Sequence, residues 1–155
     1  MTGAAPTRGE RNNNPGNIVQ THPRTAWQGG VPADALTDSR FEQFTEAKWG
    51  IRALAYTLLV YHDKHGLNTV RGIIDRWAPP IENDTQQYAT LVASRVGVGL
   101  DDVIDPYAYT TMRGLVLGII TEENGCQPYS EDVLLEAFRL CGVTPLVPIT
   151  NTPQS

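Results

Sequence analysis

The stretch Asp105–Gly125, DPYAYTTMRGLVLGIITEENG, constrains the fold more than any other part of the chain. It reads as one helix with both ends marked. Asp105 suits the N-cap, and Pro106 suits the first helical position, where no backbone donor is needed. Gly125, or Asn124 before it, suits the left-handed residue that ends a helix. Tyr109, Met112, Leu115, Val116, Ile119 and Ile120 recur at helical spacing and share one face, so this helix belongs in the core. The next step along that stripe is Glu123. A carboxyl at the end of an apolar face loses water, and desolvation favours its protonated form. The negative end of the helix and the neighbouring Glu122 act in the same direction. Such an environment makes a general acid. Read alone, the helix favours Glu123 as a solvated residue at a fraying end, since charged residues are common there.

At 155 residues the chain is expected to form one domain with a sizeable core. A net charge of -5 argues against nucleic-acid binding, which requires a basic face. No apolar run reaches membrane-spanning length, and MTGAAPTRGER lacks the apolar core of a signal peptide. Two cysteines, Cys126 and Cys141, do not make a disulfide framework and read as small buried hydrophobes.

Residues 1–9 read as a loose polar terminus, 10–142 as the domain, and 143–155 as an extended tail containing three prolines. The run Asn12-Asn13-Asn14-Pro15-Gly16-Asn17 cannot be a helix interior. Its asparagines suit a tight turn and equally suit contact with a polar ligand. Residues 18–44 are expected to form a small irregular β-hairpin packed by Trp27, Phe41 and Phe44. Thr45 is expected to cap a long core helix closed by Gly66. His62 and His65 near its end lack further ligands at metal-binding spacing, and a solvated last turn is the simpler account. Thr69 opens a short helix stopped by Pro79-Pro80, Asn83 or Asp84 caps another ending before Gly97, and Ser130 caps a last one stopped by Gly142. Trp77 and Tyr88 stand near these joints, where aromatic faces serve core packing or stack on sugars.

Glu123-Asn124-Gly125 with Pro128, and Glu10 with Asn14-Pro15, both resemble the Glu-Ser-Gly-x-Asn-Pro signature of lytic transglycosylases and related lysozyme-like enzymes. In that family the Glu ends a buried helix and protonates the glycosidic oxygen. Over about residues 8–142, RNNNPGNI at Arg11–Ile18, Gly50-Ile51-Arg52-Ala53, Trp77-Ala78-Pro79-Pro80, Tyr88 and Glu123-Asn124-Gly125 resemble a family of small phage-encoded lysozyme-like proteins. These occur as virion-associated murein hydrolases, as endolysin-like proteins or as structural proteins. The resemblance implies a mainly α, lysozyme-like α+β fold, with five or six helices and the hairpin.

The order of parts differs from the usual lysozyme-like chain, in which the Glu helix precedes the Asn-Pro loop. Here the apolar Glu helix lies near the C-terminus, which implies a circular permutation that returns Glu123 to the side of the Asn13–Ile18 loop. Glu123 ranks first as the acid, Glu10 second and Glu122 third. The resemblance then implies a peptidoglycan hydrolase, a muramidase or lytic transglycosylase, cutting the β-1,4 bond between N-acetylmuramic acid and N-acetylglucosamine. Asn13, Asn14 and Asn17 would line the sugar cleft, with Tyr129 nearby. Asp38 and Glu42 are the candidates for a second carboxylate; without one, the substrate's acetamido group would take that part. No metal or organic cofactor is implied. The expected partners are peptidoglycan glycan strands and, through the tail, other virion proteins. The expected location is the virion, or the host cytoplasm with action on the wall in the periplasm. Two alternatives are a virion structural or peptidoglycan-binding protein on the same fold, and an endopeptidase cutting peptide cross-links.

Overall fold

The computed structural model describes residues 5–81 and 83–145, and the chain is mainly helical. Among the described residues six α-helices follow in order: α1 Arg8–Arg11, α2 Ala47–His65, α3 Val70–Trp77, α4 Thr85–Val96, α5 Tyr109–Asn124 and α6 Glu131–Arg139. Among the described residues, no helix is long and apolar enough to cross a membrane.

α5 is the centre of the core. Met112, Leu115, Val116, Ile119 and Ile120 are wholly inaccessible, and Leu117 on the opposite side is buried as well. Burial around most of its girth requires partners on several sides. α4 lies closest, because Gly114 and Gly118 let it in. A Cβ at Gly118 would stand 3.1 Å from Val92 Cα, and one at Gly114 would stand 2.8 Å from Val96 Cα. α2 contributes Ile51, Leu54 and Leu58, α3 contributes Ile73 and Ile74, and α6 contributes Leu134 and Phe138, all without solvent contact. Val143 also packs into this core, beyond the last helix. The rest of the expected tail, from residue 146, lies outside the described residues, as does Glu82.

The helix ends follow capping chemistry. Thr69, Asp84 and Ser130 accept hydrogen bonds from the backbone N–H groups of Gly72, Gln87 and Val133. Gly66, Gly97 and Gly125 end α2, α4 and α5 in the left-handed conformation. Two expected starts are corrected. α2 begins after Glu46 rather than Thr45, with no side-chain cap bond. α5 begins at Tyr109, four residues beyond Asp105, because the Asp105 carboxylate accepts from Tyr107 N (2.9 Å) and its carbonyl from Ala108 N (3.0 Å). Asp105-Pro106 therefore builds a separate turn, a local competition that Asp side chains commonly win.

Residues 18–44 return antiparallel but do not form a regular hairpin. Two isolated bridges, Val19 with Phe41 and Gly30 with Phe44, take its place. Backbone bonds from Gln20 N to Arg40 O and from Glu42 N to Ile18 O hold one end, and those from Val31 N to Gln43 O and from Thr45 N to Gly29 O hold the other. Trp27 packs edge-on against Phe44 and Tyr56, at 6.4 and 6.3 Å between ring centroids. Arg8 and Gly9, read from sequence as part of a loose terminus, are in α1, where Thr7 caps Glu10 N and Gly9 is buried.

Candidate active site

The C-terminal end of α5 docks on the asparagine loop. The Asn124 side chain donates to Pro15 O at 2.8 Å and accepts from the Thr7 hydroxyl at 2.6 Å. This seats the next residue back, Glu123, beside Asn17, more than a hundred positions away in sequence. Asn17 Nδ2 donates to Glu123 Oε1 at 3.0 Å. Asn17 has φ 51°, a left-handed conformation that Asn tolerates better than most residues, and this turns its amide toward α5.

From the other side, the Tyr88 hydroxyl of α4 donates to Glu123 Oε2 at 2.9 Å, and Trp77 Nε1 of α3 donates to the Tyr88 oxygen at 3.2 Å. Burial, reinforced by the adjacent Glu123 carboxylate, pushes the Tyr88 phenol far above its ordinary range, so it remains a neutral donor. Glu122, one position away, is shifted upward by desolvation first and by the Glu123 charge second.

Glu123 lines an open groove of about 380 Å³ with Asn17, Trp27, Arg40, Phe41, Tyr61 and Trp77. It also lines a smaller cavity of about 310 Å³ with Tyr88, Glu122, Asn83, Asp84 and Gln87. The groove thus offers several aromatic faces, two amides (Asn17 and Asn83), a carboxyl and a guanidinium. Arg40 stacks on Phe41 at 5.0 Å, and among the described residues its guanidinium has no carboxylate partner.

Of the catalytic and sugar-binding residues expected from the resemblance, Glu123 and Asn17 meet in this groove and Asn13, Asn14 and Tyr129 do not line it, while Trp77, an aromatic noted from sequence, does. Asn14 has no solvent contact. Its amide donates to Ile18 O and Glu42 O while its carbonyl accepts from Ile18 N, so it serves as an internal brace. Asn13, at φ 53°, donates to Phe44 O, and its own carbonyl lies against Gly50 of α2, where a Cβ would stand 1.7 Å away. Tyr129 lies beside Glu10 and Cys126, outside the residues that line the groove. Burial, then those two neighbours, push its phenol up to about 12. Glu10 accepts from the Cys126 thiol at 3.3 Å, and the Thr7 hydroxyl, whose proton goes to Asn124, stands 3.3 Å from it. Cys126 is exposed, against the expectation of a buried hydrophobe, while Cys141 is half-buried.

Neither candidate for a second carboxylate is free. Asp38 takes a two-pronged bond from Arg8 at 2.8 Å, plus bonds from Asn12 and from Arg40 and Phe41 N–H groups; the Arg8 bond leads in holding it far below the usual carboxylate range. Glu42 is inaccessible and paired with Arg24 at 2.5 Å.

Tyr88 is the functional candidate for which sequence gave no role beyond packing or stacking. Its distance from Glu123 in sequence, 35 positions, leaves no periodic signal. Its place in the family-like pattern with Trp77 was the available clue.

No family model matches the chain. It is 39% identical over 132 residues to "Protein P5" of Pseudoalteromonas phage PM2, an alignment covering 84% of this chain and 79% of that protein. An identity of that level over most of both chains places them in one family, and this chain belongs to the family of the phage PM2 Protein P5.

Proposed function

We propose that the chain is a phage peptidoglycan glycosidase, a muramidase or lytic transglycosylase on a circularly permuted lysozyme-like helical fold, with Glu123 as its acid. One observation carries this reading: a carboxyl at the end of a buried helix is oriented by Asn17 and Tyr88 and borders an open, aromatic-lined groove. Sugar rings stack on aromatic faces, and Trp27, Phe41, Tyr61 and Trp77 supply such faces within the groove. Arg40 is suited to an anionic substituent, such as a carboxylate of a peptidoglycan stem peptide. The docking of the Glu123 helix on Asn17 and Pro15 supports the permuted arrangement, since it gathers in space parts that stand in reversed order along the chain.

In the proposed reaction the Glu123 proton passes to the bridging oxygen as the C1–O bond breaks, and positive charge develops on the sugar. Asp38 and Glu42 are both engaged elsewhere. The acetamido oxygen of the substrate then bonds to C1; water or the sugar's own C6 hydroxyl next attacks C1, breaking that bond and returning its proton to the Glu123 carboxylate. The tail beyond Pro145 is assigned to contact with other virion proteins, and the site of action to the wall in the periplasm.

A second reading, a wall-binding virion protein, is favoured by one fact: among the described residues lining the groove, Glu123 is the only carboxylate. Incubating the purified chain with isolated sacculi and identifying the released fragments by mass spectrometry separates the readings. A glycosidase leaves new reducing or 1,6-anhydro ends. Sedimentation with uncut sacculi would replace it by the binding reading, and new free amines would replace it by an endopeptidase.

A further inference from the structure

We propose that Tyr88, held by Trp77, is a positioning residue that ties Glu123 Oε2 down on the side away from the groove and so leaves Oε1, beside Asn17, to deliver the proton. This deepens the glycosidase reading and rests on Glu123 being the acid. An indole N–H only donates, so the Trp77 contact at 3.2 Å occupies a lone pair of the Tyr88 oxygen and cannot receive its proton. The phenol has one proton, and Glu123 Oε2 lies 2.9 Å away as its acceptor. Tyr88 is 6% exposed, so leaving that proton without a partner would carry the cost of an unmade buried bond. Burial also keeps the phenol neutral, hence always a donor.

With Oε2 held by Tyr88, which does not line the groove, Oε1 is the oxygen left to deliver a proton there. That oxygen accepts from Asn17 Nδ2, which leaves it able to donate as well, as a hydroxyl does both. The residues that bond the two oxygens line different spaces. Asn17 lines the aromatic groove and Tyr88 does not, whereas Tyr88 lines the smaller polar cavity. The Trp77–Tyr88 pair therefore aims the acid at the groove in which the glycan would lie, and the polar cavity sits behind it.

Tyr88→Phe keeps the ring and deletes the donor. In the full chain acting on sacculi, kcat is expected to fall roughly tenfold or more with KM little changed, as for loss of a hydrogen bond to a charged group. In a Glu123→Gln background the same substitution is expected to change residual activity by less than about twofold, since its route of action is already cut. Equal losses in both backgrounds would overturn the proposal and assign Tyr88 to packing or direct substrate contact. A second measurement does not need activity. The Tyr88 hydroxyl proton is expected as a slowly exchanging NMR resonance with a cross-peak to the Trp77 indole proton, moving upfield and exchanging faster in Glu123→Ala. A hydroxyl resonance indifferent to Glu123→Ala would refute the geometry whether or not the chain cuts the wall. Uncut sacculi with the NMR signature intact would refute the glycosidase reading while leaving the Tyr88–Glu123 geometry in place.

Discussion

From Ala47 to Val143 the chain buries Ile51, Leu58, Ile74, Leu115, Ile119 and Phe138; between Asn12 and Phe44 it buries Asn12, Asn14 and Glu42. The first region is held by apolar side chains on regular helices. The second is held by polar side chains bonded to the backbone of an irregular path. Asn14 spans three backbone groups, Asp38 accepts from two backbone N–H groups, and Gln20 bonds the Asp38 and Phe41 carbonyls. Apolar burial tolerates small rearrangement because it is non-directional, whereas a buried polar group is costly once its partner is lost. The candidate site stands on the seam. Glu123 comes from the apolar region, Asn17 from the polar one, and the bond between them depends on both.

The comparison breaks most visibly in the helical core. Ile119→Ala removes a wholly buried side chain from the centre of α5 and is expected to destabilise by about 2–5 kcal/mol in chemical denaturation. A near-neutral change would place that face against solvent. In the polar region, Asn14→Ala leaves Ile18 O, Glu42 O and Ile18 N without their side-chain partner, at an expected cost of about 1–3 kcal/mol. Loss of activity should exceed what that destabilisation explains, because the same loop carries Asn17. An Asn14→Ala variant with full stability would mean that the backbone, not the side chain, sets the loop.

The smallest effect sharpens the contrast by pH. The Asp38 carboxyl is held low by Arg8 and by its other donors, so its folded value lies below its unfolded value of about 3.9. Its contribution is therefore fully present above that unfolded value and is lost as pH falls toward the folded one. Asp38→Asn should flatten the acid side of the stability profile below about pH 4, with a modest loss at neutral pH. An unchanged acid limb would show that Asp38 is not differentially bound in the folded state.

The same contrast explains what was legible in the sequence. The apolar stripe of α5, the caps at Thr69, Asp84 and Ser130, and the stop at Gly125 are local patterns, and each lies where residue spacing places it. Asp105 was misleading because an Asp before a helix has two local uses, cap or turn, and here it makes the turn. The region from 18 to 44 carried no clean alternation, since its path is set by side-chain bonds to distant backbone groups rather than by a ladder. For the asparagines, residue type showed that they bond something but not what. Asn13 and Asn14 turn to the backbone and Asn17 to Glu123, a division that depends on where the ends of α2 and α5 arrive. Tyr88 and Trp77 were visible as aromatics, but their bond chain to Glu123 joins three helices and leaves no trace in any one of them.

Glu123→Gln keeps the shape of the side chain while removing the proton that an acid must deliver; its oxygen still accepts from Tyr88, and its NH2 group is received by Asn17 Oδ1 once that amide turns over. Assayed on purified sacculi beside the unaltered chain, with thermal unfolding measured on the same samples, it is the most direct test of the site. The expected result is an unchanged fold and a loss of glycan cleavage by about two or more orders of magnitude, with Glu10→Gln and Glu122→Gln much milder. Full cleavage by a folded Glu123→Gln chain would contradict the assignment outright.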